Sequence, residues 1–247
     1  MKTFGLIGKK LSHSFSKHYF TQKFLKLGLG DHEYQLFELE QIDSLEGLIQ
    51  NQPSLLGFNV TIPYKQEVIS YLTEVDEKAK RIGAVNTVVR FGAGNWKGFN
   101  TDYLGFSQSL QNHCNLKHHT RALVLGTGGA SKAAKVALED LGLQVQMVSR
   151  TKNENQMTYD EIVPEILASH TLIVNTTPLG MYPAAEIFPP IPYQILNQSH
   201  FLMDLVYNPE KTVFLQKGRA QGASTLGGLE MLHLQADQAW EYFKQAF

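Results

Sequence analysis

Short apolar runs rich in β-branched residues alternate with helix-period segments almost from end to end of the chain. "TFGLIG" reads as a strand, after which Phe15, Tyr19, Phe20, Phe24 and Leu27 recur at helical spacing over 14–27. "EYQLFEL" and "LLGFNVTI" read as two further strands. "KQEVISYL" and "EVDEKAKRIG" read as helical, the latter stopped by Gly83. "AVNTVVRF" and "WKGFN" are strands on either side of the glycine-rich turn "GAGN". A second series starts near Asp102. It comprises a helix over 103–114, the strand "RALVLG", a helix over 131–141, the strands "QVQMVSR", "TLIVNTT" and "HFLMDLVY", and a helix over 212–221. The tail "GGLEMLHLQADQAWEYFKQAF" is a long amphipathic helix after a glycine pair, its Met and aromatic positions reading as core.

Alternation of this kind predicts an α/β protein with mostly parallel sheets covered by helices. Two series, one on each side of about residue 102, predict two such domains. Ligands of open α/β sheets sit beyond the carboxyl ends of strands, and "NVTIPYK", "VNTT" and "VLGTGG" all lie at such ends. In "NVTIPYK", Val60 and Ile62 suit a buried side, while Asn59, Thr61 and Lys65 fall on the other parity and Pro63 stops the strand. Two readings fit: an edge strand with a wet face, or a ligand wall with an ammonium at its lip.

Composition narrows the classes. The chain has 247 residues, 43% hydrophobic and 18% charged, which is ordinary for a folded soluble protein. A formal charge of −1 with scattered Lys and Arg argues against a nucleic-acid or anionic-membrane surface. Cys114 is the one cysteine, so no intrachain disulfide forms and a reducing cytoplasm is expected. The N-terminal apolar stretch is too short for a signal peptide, and no run approaches the ~20 apolar residues of a membrane span. His113, Cys114, His118 and His119 gather in "NHCNLKHH" without a second paired set, so no metal is expected. His13 and His18 read as a solvated helix start.

"LVLGTGGASKAA" has the strand before it and the helix after it that a dinucleotide loop requires. Gly126 and Gly128 take the first two places of G-x-G-x-x-G, and Ser131 stands in the third. The first glycine permits the turn; the second lets backbone approach a pyrophosphate facing the helix start. The next strand ends "VSRTK". No acid is present there to grip a ribose 2′-hydroxyl, and Arg150, Ser149 and Thr151 would attract a 2′-phosphate, so NADP is favoured over NAD.

In the first series, Ser14, Ser16, Asn59, Thr61, Lys65 and Asn86 are polar groups out of place as structural residues, with Asp102 at the domain junction. "SHSFS", "NVTIPYK", "GAVNTV", "GFNTD", "GTGGAS", "SRT", "NTTPLGM" and "LQA" together resemble the ordered motifs of the shikimate dehydrogenases, over nearly the whole chain. The resemblance implies NADPH-dependent, reversible reduction of 3-dehydroshikimate to shikimate, in aromatic amino acid biosynthesis. It implies a substrate domain over 1–101, rejoined by the C-terminal helix 230–247, and a Rossmann-like NADP-binding domain over 102–229. Carried over position by position, Ser14, Ser16 and Tyr207 resemble donors to the substrate carboxylate; Thr61, Asn86 and Gln235 resemble ligands of the ring, and Asn59 is expected to bind substrate beside them. Lys65 and Asp102 resemble the catalytic pair. Gly126, Thr127, Gly128, Gly129 and Ala130 would hold the pyrophosphate, Ser149, Arg150 and Thr151 the 2′-phosphate, and Leu205 and Gly228 would border the nicotinamide.

The chain departs from the family pattern in places. Lys9, Lys10 and Lys17 stand where the family carries Asn-Pro and a Pro around the serines. Ser149 replaces an Asn, and Glu154 takes the place of a basic residue for which Lys152 could substitute. A quinate/shikimate dehydrogenase using NAD and a non-catalytic metabolite sensor on the same scaffold are the alternatives. The chain is expected to act as a monomer or homodimer.

Overall fold

Residues 1–11, 14–92 and 94–247 are described by the computed structural model; Ser12 and His13 of the serine motif and Ala93 of the glycine-rich turn lie outside them. Two units divide the chain, Met1–Thr101 with Ala236–Phe247, and Asp102–Gln235.

The first unit is built around β1 (Lys2–Gly8), buried from Thr3 onward, which suits a strand covered on both faces. It is followed by α1 (Phe15–Lys26), β2 (His32–Glu38), α2 (Leu45–Asn51) and β3 (Leu55–Val60). Then come β4 (Glu74–Val75), α3 (Glu77–Ile82), β5 (Thr87–Phe91) and β6 (Asn95–Phe99). The sheet order is β2-β1-β3-β5-β6-β4. β1 pairs parallel with β2 and β3, and β4 with β6, while β5 runs antiparallel to both β3 and β6.

Several expectations change here. β3 lies between β1 and β5, so "NVTIPYK" is not an edge strand, and Asn59 is buried at 6% exposure. The strand ends at Val60, and Ile62 beyond it is 72% exposed rather than buried. With Pro63 next in line there is no N–H to continue the ladder, so the side alternation stops before Ile62. Ile62→Thr should therefore shift stability, read from the urea midpoint, by less than about 0.5 kcal/mol. Val60→Thr, at 2% exposure, should cost about 1–3 kcal/mol for its buried hydroxyl. "KQEVISYL" forms only a 3₁₀ turn over Glu67–Tyr71, where the β-branched pair Val68 and Ile69 weakens helix propensity. In "EVDEKAKRIG" the helix starts after Asp76, whose carboxylate caps Lys78 N–H at 2.9 Å, and it stops at Gly83 with φ 69°. Asn86 precedes β5 instead of sitting inside it.

The second unit opens with α4 (Thr101–His113), whose first residue, Thr101, belongs to the first unit. There follow β7 (Arg121–Leu125), α5 (Gly129–Asp140), β8 (Gln144–Ser149), β9 (Gln156–Thr158) and α6 (Pro164–Ser169). β10 (Leu172–Asn175), β11 (Phe201–Asp204), α7 (Val213–Ala220), β12 (Ser224–Leu226) and the first half of α8 (Leu229–Phe243) complete it, α8 from Ala236 onward belonging to the first unit. All its strands pair in parallel in the order β12-β11-β10-β7-β8-β9. Counted from β7, this is the doubly wound order 3-2-1-4-5-6, which reverses between β7 and β10. Leu123, Leu125, Val148, Ile173 and Leu202 fill one face of the sheet, while Val124, Met147, Val174 and Met203 fill the other. Among the described residues, no helix is long and apolar enough to cross a membrane.

Candidate functional site

In the first unit the polar residues converge where β3 ends and β5 begins. Because β5 is antiparallel to β3, Thr87 at its start lies opposite Asn59 near the end of β3, and opposite Phe99 at the end of β6. Asn59 Oδ1 accepts from the Tyr34 phenol at 2.8 Å, and Asn59 Nδ2 donates to Thr87 Oγ1 at 3.0 Å and to the Asn86 carbonyl at 3.3 Å. Burial holds the Tyr34 phenol in its protonated form well above the usual range, against a smaller lowering from the Ser16 hydroxyl. Asn86 Oδ1 accepts from Thr101 N–H at 2.7 Å and from the hydroxyls of Thr87 and Thr101 at 3.1 and 3.2 Å. A chain of bonds thus runs from Tyr34 on β2 to Thr101. Leaving any of its buried members unpaired would cost about 1–3 kcal/mol.

This network places Asn59 differently from the sequence reading. Both of its amide hydrogens and its oxygen are bonded inside the protein, so it braces Asn86 and Thr87. Ser14 is the opposite case: its hydroxyl is buried and finds no partner among the described residues, and as the residue before α1 it makes no side-chain cap. Thr61 and Lys65 share the turn after β3. The turn is fixed by buried Tyr64, whose phenol donates to the Leu39 carbonyl at 2.6 Å, and by Val85 N–H on the Lys65 carbonyl at 2.7 Å. Asp102, 6% exposed, lies in the first turn of α4.

In the second unit the glycine loop joins β7 to α5. Gly126 has φ +117°, and a Cβ there would sit 2.7 Å from Thr176 Oγ1. A Cβ on Gly128 would meet nothing within 4 Å, so the backbone faces open space just where α5 begins. Thr127 is exposed, and Gly129 and Ala130 are half-buried in the first turn of α5, which holds no acidic residue. Ser131 Oγ meets Thr176 Oγ1 at 2.6 Å, and Thr176 Oγ1 also donates to the Leu125 carbonyl at 2.6 Å. The third position of the fingerprint therefore braces the loop through β10. These features fit a pyrophosphate on the helix start.

At the end of β8, Ser149 Oγ accepts from Thr151 N–H at 3.2 Å, ordering the turn that exposes Arg150. Lys152 pairs with Glu161, whose carboxyl is held below its ordinary value by that bond. The lysine expected to replace the missing basic residue thus has a carboxylate beside it.

Beyond β10 and β11 a polar cluster absent from the sequence reading appears. Asp204 is fully buried; its Oδ1 accepts from Asn175 Nδ2 at 2.9 Å and Val206 N–H at 3.0 Å, and its Oδ2 from the Thr212 hydroxyl at 2.5 Å. Burial pushes its carboxyl up to about 6 against these donors. Leu205 follows directly. A Cβ on Gly228 would lie 2.3 Å from the Leu205 carbonyl oxygen, so only glycine permits that approach. Tyr207 is half-buried, and burial raises its phenol. Gln235, on α8, donates from Nε2 to the Leu232 carbonyl at 3.1 Å. Asp204 could have been read as a polar group closing an otherwise apolar strand.

The histidines near Cys114 do other work. His113 pairs with Glu230, His119 Nδ1 meets Thr171 Oγ1 at 2.8 Å, and burial pushes the Cys114 thiol up to about 11. Among the described residues no group of three His, Cys, Asp or Glu is placed to hold a metal.

Residues 6–88 match the family described as the shikimate dehydrogenase substrate binding domain. The chain is 40% identical over 257 residues to the shikimate dehydrogenase (NADP(+)) of Clostridium beijerinckii, covering 99% of this chain and 93% of that protein. The crystal structure of shikimate dehydrogenase 1 from Peptoclostridium difficile superposes with a TM-score of 0.87 at 38% identity, over 100% of this chain and 93% of that one. Shikimate 5-dehydrogenase from Thermus thermophilus, solved with NADP(H) and shikimate, gives a TM-score of 0.86 at 30% identity, over 98% and 93% of the two chains. With the doubly wound second sheet and its glycine loop, this likeness over the full length means that the chain belongs to the shikimate dehydrogenase family.

Proposed function

We propose that this chain catalyses the reversible, NADPH-dependent reduction of 3-dehydroshikimate to shikimate, with Lys65 and Asp102 as its catalytic pair. The observation that carries this reading is the hydrogen-bonded chain Tyr34–Asn59–Thr87–Asn86–Thr101, which orders the end of β3 and the start of β5. A triol acid needs several short directional partners, because each one missing leaves a buried polar atom unpaired.

Ser14, Ser16 and Tyr207 donate to the substrate carboxylate; the buried Ser14 hydroxyl without a partner supports that role. Thr61, Gln235 and the amide of Asn86 bond the ring substituents, and Asn59 positions Asn86 without touching the ligand. NADPH, when bound, would supply the hydride that the carbonyl carbon accepts. As charge grows on the carbonyl oxygen, the Lys65 ammonium stabilises it and delivers the proton, while Asp102 orients the amine and a substrate hydroxyl. In the oxidative direction a neutral Lys65 amine takes the proton back. Gly126 to Ala130 would hold the pyrophosphate, Ser149 to Thr151 the 2′-phosphate, and Leu205 and Gly228 the nicotinamide.

The test is reduced-nicotinamide absorbance with shikimate and either NADP or NAD. NADP should be the better substrate, and Arg150→Ala should raise KM for NADP about 10- to 100-fold, since bonds to charged groups contribute about 1.5–3 kcal/mol. KM for NAD should barely move. Turnover with NAD that equals that with NADP and ignores Arg150 would overturn the cofactor assignment. No turnover with either would leave the sensor reading in its place. A basal preference smaller than the arginine effect is accounted for by Lys152, held by Glu161.

A further inference from the structure

We infer that Asp204 is a positioning residue: its buried carboxylate fastens the loop after β11 to the loop after β10 and so fixes the backbone on which the nicotinamide lies. The inference rests on the cofactor assignment proposed above. Both loops leave the carboxyl ends of neighbouring parallel strands, Asn175 lying opposite Asp204 in register. They also lie beside the β7–β10 reversal, where open α/β sheets bind ligands.

The two loops are tied at base and tip. At the base, Asn175 Nδ2 bridges Asp204 Oδ1 at 2.9 Å and the Leu179 carbonyl at 3.2 Å, while Leu205 N–H bonds the Asn175 carbonyl at 2.9 Å. Asn175 Oδ1 meanwhile accepts from the Thr177 hydroxyl at 2.6 Å and Thr177 N–H at 3.1 Å. At the tip, Tyr182 N–H donates to the Asn208 carbonyl at 3.1 Å. Between them, Asp204 holds Val206 N–H and the Thr212 hydroxyl, so one carboxylate sets the backbone path from Leu205 through Tyr207 to the start of α7. Gly228 closes against this path, with Gly228 N–H on the Val206 carbonyl at 3.2 Å. A carboxylate suits the place because it can accept three bonds from three segments at once. The adenosine half of the cofactor is assigned to β8 and the glycine loop; that loop meets the bracket's neighbour Thr176 through Ser131, and Thr176 is anchored on the Leu125 carbonyl rather than on Asp204 or the Asn175 side chain, so damage here should be felt mainly by the nicotinamide half.

The test compares calorimetric affinities for NADP and for 2′,5′-ADP, which lacks the nicotinamide half. Asp204→Ala and Asn175→Ala should each weaken NADP at least fivefold and lower kcat for shikimate oxidation more than they raise its KM, with 2′,5′-ADP held within twofold. Asp204→Asn can accept from Asn175 and Val206 and donate to Thr212, so it should restore NADP affinity to within about threefold of wild type. Should Asp204→Ala fail to fold, Asn175→Ala carries the comparison, because Asp204 keeps Val206 and Thr212. Equal losses for both ligands would mean that the residue only supports the domain, and wild-type NADP affinity in both alanine variants would overturn the inference outright. Failure of wild type to bind either ligand would overturn the cofactor assignment, and the inference with it.

Discussion

Lys65→Ala is expected to lower kcat for shikimate oxidation by about 10³-fold or more, the range of a lost general acid–base group together with its charge. The Lys65 backbone is held independently of its side chain: Val85 N–H bonds its carbonyl, and the neighbouring Tyr64 is buried and bonded to Leu39. Truncation should therefore leave the turn after β3 in place, with Thr61 still held by its N–H on the Ile7 carbonyl at 2.9 Å. Shikimate affinity, read by equilibrium titration, should change only a few-fold, because the carboxylate and ring contacts come from other residues. The split matters more than the size of the loss. An interaction made mainly in the transition state lowers kcat and spares binding, whereas one made equally with bound substrate weakens binding as well. If affinity falls as far as kcat, Lys65 is a binding group and the proton must come from elsewhere.

Much of this arrangement is legible in the order of the residues alone. The glycine loop announces itself because its strand, its spacing and its helix are contiguous, and the serine and asparagine motifs announce themselves because polar residues interrupt apolar runs. What periodicity could not supply is strand direction. A parallel β5 would have carried Asn86 to the far edge of the sheet, away from Thr61. The antiparallel pairing of Asn59 with Thr87 brings it back, and nothing in the alternation of Thr87–Phe91 encodes that choice. β4, β9 and β12, of two or three residues each, are too short to show any period and exist because longer neighbours offer them a ladder. Tyr34 was hidden for another reason. Its ring stacks on Phe20 at 4.6 Å, which makes it look like core, and only its hydroxyl joins the polar chain.

Asp204 should make the protein less stable as pH rises from about 4 to about 6, opposite to the usual behaviour of a carboxylate held by donors. Three hydrogen bonds favour its charged form, yet burial outweighs them and raises the folded-state value from 3.8 to about 6. A proton is thus bound more tightly by the folded chain than by the unfolded one. The resulting stabilisation is complete below the unfolded value and is lost as pH climbs through the folded value; above about 6.5 the contribution is flat. At 1.36 kcal/mol per unit, the loss amounts to about 3 kcal/mol. The groups around it do not reverse the sign: Asn175, Thr212 and Val206 N–H are neutral donors. The titratable phenol whose protonation Asp204 favours, Tyr193, is raised chiefly by its own burial. Asp204→Asn reproduces the protonated state at every pH, so it serves as the reference against the titration of all other groups. Urea midpoints of the two proteins between pH 4 and 7.5 should separate progressively in favour of the asparagine and then run parallel. A gap that opens in favour of wild type with rising pH would mean that the three donors outweigh burial. The bracket after β11 would then be held in its charged form across the whole range, and the loop's anchorage would loosen on acidification instead of tightening.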